Sequence, residues 1–367
     1  MIDTDNDKRI VLTLDAGGTN FVFSALQGNK EIAGPMTLPS NADNLDKCLH
    51  TIIHGFEFLE KEINRKPDAI SFAFPGPADY DQGIIGDLPN FEAFKGGVPM
   101  GPMLEQKFKV PVFINNDGNL YAYGEALSGI LPEVNKKLKD AGSILQHRNL
   151  VGVTLGTGFG CGIVLNQELI VGDNSCGAEI HNTLNKYNPN WNAEESVSTR
   201  AIQRIYAERA GLEFNPGLMP KDIYNIAKRK VAGNYEAAQE AFYVYGENLG
   251  SSIANVVTLV DGLVAIGGGI IAAANLFAPA MFKELNRQLE DLKGKKNNRL
   301  SFKVFDIDNP LTFDTYAKGK VVDLKVPGYD KKVKYDSMPR IGVGFTKLGA
   351  SKATSLGAYA YALQKMT

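Results

Sequence analysis

The stretch Ile10–Leu26, IVLTLDAGGTNFVFSAL, decides the fold. Ile10–Leu14 is a short apolar run ending in DAGGT, and Phe21, Phe23 and Ala25 alternate along a second run. The reading is strand, glycine turn, strand. Glycines at such a turn let backbone N–H groups approach a ligand with no side chain in the way, and a concave set of N–H donors suits phosphate oxygens. Gly17 and Gly18 supply that approach and Thr19 adds a hydroxyl. Asp15 stands at the strand end, where a carboxylate can hold Mg²⁺, usually through water. Taken alone, these residues describe an ordinary tight turn.

The second half repeats the theme. Leu150–Leu155 is an apolar strand running into GTGFGCG (Gly156–Gly162), followed by a strand over Ile163–Leu165. Glycines at 156, 158, 160 and 162 recur with the period of a strand and leave one face bare. Two such turns in equivalent places of two half-chains turn the reading from tight turns toward a nucleotide clamp. Other phosphate fingerprints fail: there is no GxxxxGK[ST], and the second run does not match GxGxxG.

Working outward, apolar residues at Leu45, Leu49, Ile52, Phe56, Leu59 and Ile63 predict an amphipathic helix over Asn44–Ile63. Ala69–Phe74 and Val112–Asn115 read as strands. A long helical region carries Phe242, Leu249, Ile253, Val256 and Val257, and Leu263–Ile266 is a buried strand ending in Gly267–Gly269. Strands alternating with helices indicate α/β architecture, and 367 residues exceed what one core usually serves. The echo between the halves suggests two related α/β domains with a cleft between them. Leu131–Asn149 is lysine-rich, and residues 305–339 resemble a β-hairpin excursion; both read as insertions.

Composition excludes several function classes. The net charge of −2 gives no basic footprint for nucleic acid, and lysines at 136–139, 293–296 and 331–334 read as solvated surface. Three scattered cysteines suit a reducing compartment, and the polar N-terminus argues for a cytoplasmic protein. Gly262–Phe282 is uncharged and long enough to span a bilayer, but its glycines, Asn275 and Pro279 fit a buried strand, turn and helix instead. His50 and His54 have a helical zinc spacing without a third ligand and read as surface residues. Cys161 and Cys176 read as small packed residues.

The motifs in order resemble the ROK group of sugar kinases and sugar-responsive repressors. They are DAGGTN (Asp15–Asn20), FPGPAD (Phe74–Asp79), LPNF (Leu88–Phe91), INNDGNLYAYGEA (Ile114–Ala126), LGTGFGCGIV (Leu155–Val164), GAEIH (Gly177–His181) and AIGGGI (Ala265–Ile270). The closing LGAYAYAL (Leu356–Leu363) also has the family's pattern. Each motif alone is weak; seven in order form a specific signal, covering Ile10 to Leu363.

The resemblance implies two actin-like ATPase (ribonuclease H-like) domains, one over 1–120 joined by the C-terminal helix 351–367, the other over 121–350. It implies ATP between the two hairpins, held by Asp15, Gly17, Gly18, Thr19, Gly156, Thr157, Gly158 and Gly160, with Gly267, Gly268 and Gly269 beside the adenosine. It implies a sugar bound by Asn116, Asp117, Glu179 and Glu194, the last because EESVSTRAI from Glu194 matches a family segment. Asn20, Gly76 and Asn90 fall where family members line the sugar site. Asp117 is then the base that takes the hydroxyl proton as the sugar oxygen attacks the γ-phosphate; its other reading is a helix N-cap. The asparagine of GGTN is closer to glucokinase-like members, with N-acetylhexosamine kinases, fructokinases and silent sugar sensors as alternatives.

Two departures from the family stand out. Members usually carry Glu-x-Gly-His, whereas Glu179-Ile180-His181-Asn182 is one residue short, so His181 or Asn182 meets the sugar, with His181 the choice here. Many members hold structural zinc on a cysteine cluster, but Asn182–Ala193 contains no cysteine. Zinc is therefore not expected, and the loop is expected to keep its shape by packing around Trp191 and Tyr187. Only nine residues precede Ile10, too few for the helix-turn-helix of a repressor, and the polar acceptor set disfavours an assembly ATPase. No nucleic acid or membrane partner is expected; a homodimer is common in the family.

Overall fold

The structure is a computed structural model and describes residues 4–17, 19–88 and 93–367. The chain forms two compact units: Met1–Gly129 with Gly162–Ala178 and Lys347–Thr367, and Ile130–Cys161 with Glu179–Thr346. The first unit takes in the C-terminal helix, and also a segment, 162–178, that the expected boundaries leave in the second domain.

The first unit opens with β1 (Val11–Ala16), β2 (Asn20–Gln27) and β3 (Lys30–Pro39), then α1 (Leu45–Ile63) and β4 (Ala69–Ala73). A small pair, β5 (Ala78–Asp79) and β6 (Ile84–Ile85), precedes α2 (Met100–Phe108), β7 (Val112–Asn115) and α3 (Asp117–Leu127). The sheet order is β3-β2-β1-β4-β7, with β1–β2–β3 antiparallel and β1, β4 and β7 parallel. On one face, α1 buries Ile52, Phe56 and Leu59 of the expected stripe together with Cys48, while Leu45, Leu49 and Ile63 are partly buried against them. Phe56 meets Phe23, Phe72 and Phe108 at ring separations of 5.3, 5.8 and 6.1 Å. Fully burying such a ring is worth roughly 1.5–3 kcal/mol.

The second unit begins with α4 (Ile130–Asp140) and β8 (Leu150–Leu155); β9 (Phe159–Leu165) and β10 (Glu168–Ile170) follow in the chain. Then come α5 (Thr199–Ala210), α6 (Pro220–Ala227), α7 (Tyr235–Val260), β11 (Leu263–Gly267) and α8 (Ala274–Leu285). After a hairpin, β12 (Gln288–Glu290) and β13 (Lys296–Asn298), the chain adds β14 (Lys303–Asp306), α9 (Pro310–Lys318), the hairpin β15 (Val321–Lys325) and β16 (Lys332–Asp336), and β17 (Arg340–Phe345). The sheet order is β10-β9-β8-β11-β17-β14. Apart from the added edge strand β14, this repeats the first sheet: an antiparallel outer pair, then three parallel strands. The mixed α/β, actin-like architecture expected from the sequence is the one the chain adopts.

The last helix, α10 (Ala350–Lys365), covers the other face of the first sheet, where Tyr359, Ala362 and Leu363 pack with Val11, Leu26 and Ala69. It also touches α3 backbone to backbone. A Cβ added at Gly124 would stand 1.9 Å from the Ala353 carbonyl oxygen, and one at Gly357 only 1.8 Å from that of Leu120. Glycine at both crossing points lets α10 seat α3, the helix that begins at Asp117.

Several local readings are corrected. Residues 131–149 open with most of α4, which buries Leu131, Val134 and Leu138. Of 305–339, only 321–336 is an excursion; Phe305 is buried in β14 beside β17. Gly160 and Gly162 lie inside β9, so the second turn is confined to Gly156–Gly158. The uncharged stretch 262–282 needs no correction: it is the expected strand, turn and helix, as β11, a 3₁₀ turn and most of α8. Among the described residues no helix is long and apolar enough to cross a membrane.

Candidate functional site

In the first unit, the parallel strands bring the expected residues to one edge. Asp15, Ala73 and Asn115 are register partners across β1, β4 and β7, so all three strands end level. Beyond those ends lie the Gly17–Asn20 turn, the segment after β4 that holds Gly76, and the β7–α3 junction with Asn116 and Asp117. The carboxyl ends of parallel strands are where α/β sheets bind ligands, because the turns there are free of pairing partners. Gly18 and Asn90 lie outside the described residues.

Asp15 is half-buried, while Gly17, Thr19 and Asn20 are exposed. The Gly17 N–H donates to the Asn20 carbonyl (3.1 Å) and Ser40 N–H to the Thr19 carbonyl (2.9 Å). A Cβ at Gly76 would meet the Tyr80 hydroxyl at 3.0 Å, and that hydroxyl donates to the Phe74 carbonyl. At the β7–α3 junction the N-cap is Asn116, whose Oδ1 accepts from Asn119 N–H at 3.1 Å. Asp117 is thus the first helical residue and not the cap: it is exposed, with Oδ1 2.9 Å from Gly118 N. Below them the fully buried Asn115 turns its Oδ1 to Asn116 N–H (2.8 Å) and Asn119 Nδ2 (3.0 Å).

The second unit has the same arrangement. Thr154 is in register with Gly267 and Ile266 with Phe345, so the Gly156–Gly158 turn and the Gly267–Gly269 run again stand at the ends of parallel strands. Gly268 has φ of +95°, and a Cβ there would stand 2.2 Å from the Leu155 carbonyl oxygen, whereas Gly156 and Gly269 face open space. Thr157 is exposed and Gly160 half-buried. The turn is braced from outside: Thr199 donates through both N–H (2.9 Å) and Oγ1 (3.0 Å) to the Gly156 carbonyl. Glu194 Oε2 accepts from Phe159 N–H at 3.0 Å, and a Cβ on Gly158 would stand 2.8 Å from that oxygen.

The acidic residues expected at the sugar lie on two short turns. Glu179 precedes a 3₁₀ turn, Ile180–Asn182, and pairs with His181 Nδ1 at 2.9 Å, while Asn182 is exposed. Hydrogen bonding to Glu179 outweighs the desolvation of His181 and raises its pKa above the ordinary 6.5. Glu194 lies on the 3₁₀ turn Ala193–Ser196, with Oε1 2.9 Å from Arg200, which also binds Glu195 at 2.7 Å. Arg200 in turn holds the Glu195 carboxyl below its usual range.

Arg200 and Thr199 escape the sequence reading, although Ser198, the α5 N-cap, and the helix after it mark the place. The loop between the two turns is also corrected. Tyr187 is exposed and bonds Glu247 through its hydroxyl (2.6 Å), and Trp191 carries the Arg204 guanidinium 4.6 Å from its ring. Its buried centre is a polar residue, Asn185. Cys176 is exposed rather than packed, while Cys161 is buried.

Among the described residues no three His, Cys, Asp or Glu side chains gather to hold a metal. The lone half-buried carboxylate of Asp15 fits a Mg²⁺ held through water and by substrate phosphates, as that ion commonly is.

Comparison with known proteins agrees with this architecture. The chain is similar to a glucokinase from Parabacteroides distasonis, 51% identical with 99% of each chain covered and a TM-score of 0.88. It is 26% identical to an N-acetyl-D-glucosamine kinase of Vibrio parahaemolyticus, over 75% of this chain and 89% of that protein. It is also 26% identical to a xylose repressor of Bacillus subtilis, over 74% of this chain and 66% of the repressor. The ROK family model matches residues 11–306. With well over half of its length matched, the chain belongs to the ROK family.

Proposed function

We propose that this chain is a sugar kinase that transfers the γ-phosphoryl group of ATP to a hexose hydroxyl, with Asp117 as the base. The observation that carries the reading is the placement of Asp117: an exposed carboxylate on the first turn of α3, level with the Asp15 strand end and the Gly17–Asn20 turn. Phosphoryl transfer asks a protein for positioning, charge neutralisation and an acceptor for one proton. Asp117 takes the hydroxyl proton as that oxygen bonds to the γ-phosphorus and the bond to the ADP oxygen breaks. Gly118 N–H, 2.9 Å from its Oδ1, holds that carboxylate at the start of α3, and Asn116, which caps the helix, faces the sugar beside it.

The glycine turns hold the phosphates through bare backbone N–H groups, with Thr19 and Thr157 as hydroxyl donors. Asp15 would hold Mg²⁺, whose charge offsets that of the phosphates. Glu179, His181 and Glu194 serve as acceptors and donors for sugar hydroxyls, with Asn20, Gly76 and Asn90 lining the sugar. Glucose is the substrate favoured by the likeness to the Parabacteroides glucokinase, which extends over 99% of both chains. N-acetylglucosamine is the second reading, supported by the Vibrio relative.

The test is ADP release from ATP-Mg²⁺ across hexoses and N-acetylhexosamines, with Asp117→Asn alongside. One sugar should give strong turnover, and the variant should fold normally yet lose roughly 10²–10⁴-fold in kcat. Near-normal activity in Asp117→Asn would remove it as the base, and a folded wild type silent on every sugar would point to sensing instead.

A further inference from the structure

We infer that Asn185 is a positioning residue for the sugar, holding the turn that carries Glu194. The inference rests on the kinase reading for the role of Glu194. Asn185 is 8% exposed and uses both ends of its side-chain amide. Its Nδ2 donates to the Asn192 carbonyl (3.0 Å) and to Ser196 Oγ (2.7 Å), residues on either side of Glu194. Its Oδ1 accepts from Tyr187 N–H (3.0 Å) and Asn188 N–H (3.2 Å). Its own N–H donates to the Trp191 carbonyl at 3.1 Å.

That set fills both donors and both acceptor sites of the amide, so the residue closes the loop 185–196 on itself. The closed loop also joins the two acidic turns. Ala193 N–H donates to the Thr183 carbonyl (2.8 Å), and Thr183 Oγ1 donates to Ile180 at 2.7 Å, inside the turn that bears His181. Movement of Asn192 or Ser196 therefore moves Glu194 relative to Glu179 and His181. A displacement of about 1 Å at a positioned group can cost up to 10²-fold in rate.

The test uses the full chain as wild type, Asn185→Asp, Ser196→Ala and Phe305→Leu. Asn185→Asp keeps the two acceptor contacts and removes the Nδ2 that donates to the Asn192 carbonyl and to Ser196 Oγ. Ser196→Ala, which deletes one contact, carries the test if Asn185→Asp does not fold. Phe305→Leu, in β14, serves as a control for lost stability alone. The readouts are KM for the sugar, KM for ATP, and the rise in melting temperature on adding sugar.

Asn185→Asp is expected to raise the sugar KM roughly tenfold, leave the ATP KM within about twofold, and remove most of the sugar-induced rise. Ser196→Ala should move the same quantities less, and Phe305→Leu should lower the melting temperature with its sugar KM unchanged. A folded Asn185→Asp with wild-type sugar KM and thermal rise overturns the inference, as does one in which both KM values rise together. If the wild type is stabilised by sugar but turns none over, the kinase reading fails while the thermal rise still judges Asn185. Neither turnover nor stabilisation in the wild type overturns both.

Discussion

The two glycine turns look alike in sequence and are built differently. The first, Gly17–Asn20, shows main-chain hydrogen bonds among its described residues, to Asn20 and from Ser40. The second, Gly156–Gly158, is gripped by side chains: Thr199 holds the Gly156 carbonyl, Glu194 holds Phe159 N–H, and Gly268 passes beneath with no side chain to spare. The second turn is a junction where a proposed phosphate site and a proposed sugar residue meet through a hydrogen bond. Glycine answers to backbone at Gly17, where a Cβ would stand 2.9 Å from the Asn20 carbonyl oxygen, and to the Glu194 side chain at Gly158.

The largest expected effect tests that packing. Gly268→Ala puts a Cβ 2.2 Å from the Leu155 carbonyl oxygen at φ of +95°, so neither space nor backbone tolerates it. It should cost roughly 3 kcal/mol, seen as a lower melting temperature. A variant melting like the wild type would break the contrast between the turns.

A smaller effect separates glycines within the second turn. Gly158→Ala pushes on Glu194 Oε2, whereas Gly156 faces open space. Gly158→Ala should raise the sugar KM roughly tenfold while Gly156→Ala leaves it within about twofold. Equal sugar KM values for the two would show that Glu194 does not depend on the turn.

The smallest is a titration. The His181–Glu179 pair raises the folded pKa of His181 above 6.5, so its stabilisation is fully present below that value. It is lost as pH rises through the raised one. NMR titration of the His181 ring should report the raised pKa in the wild type and a fall toward 6.5 in Glu179→Gln. An unchanged value in Glu179→Gln would detach His181 from the acidic turn.

Much of the fold is legible in the sequence because its signals are local. The α1 stripe from Leu45 to Ile63, the β8 run and the breaker at Gly267–Gly269 each act within a few residues, whereas α8 runs on through Pro279. β3 is harder to read, since Gly34, Pro35 and Pro39 interrupt its ten residues; it exists because β2 supplies partners from Asn20 to Gln27. β14 is misread as part of an excursion because Lys303–Asp306 is too short to carry a pattern, and burial beside β17 defines it. The proposed site residues are picked out by motifs, but their supports are not. Nothing near Thr199 says that it will hold Gly156, 43 positions away.

By itself the sequence determined the two-fold repetition of strand, glycine turn and strand, the amphipathic helices, and the residue types placed at the turns. These depend on periodicity and on which backbone angles a residue allows. Only the tertiary structure decided that Asn116 caps α3 while Asp117 stands exposed on its first turn. It alone decided that Glu194 braces Phe159 and that a buried asparagine closes the loop lacking cysteines. Those outcomes depend on hydrogen bonds between groups far apart in the chain, whose partners exist only once the sheets and helices have packed.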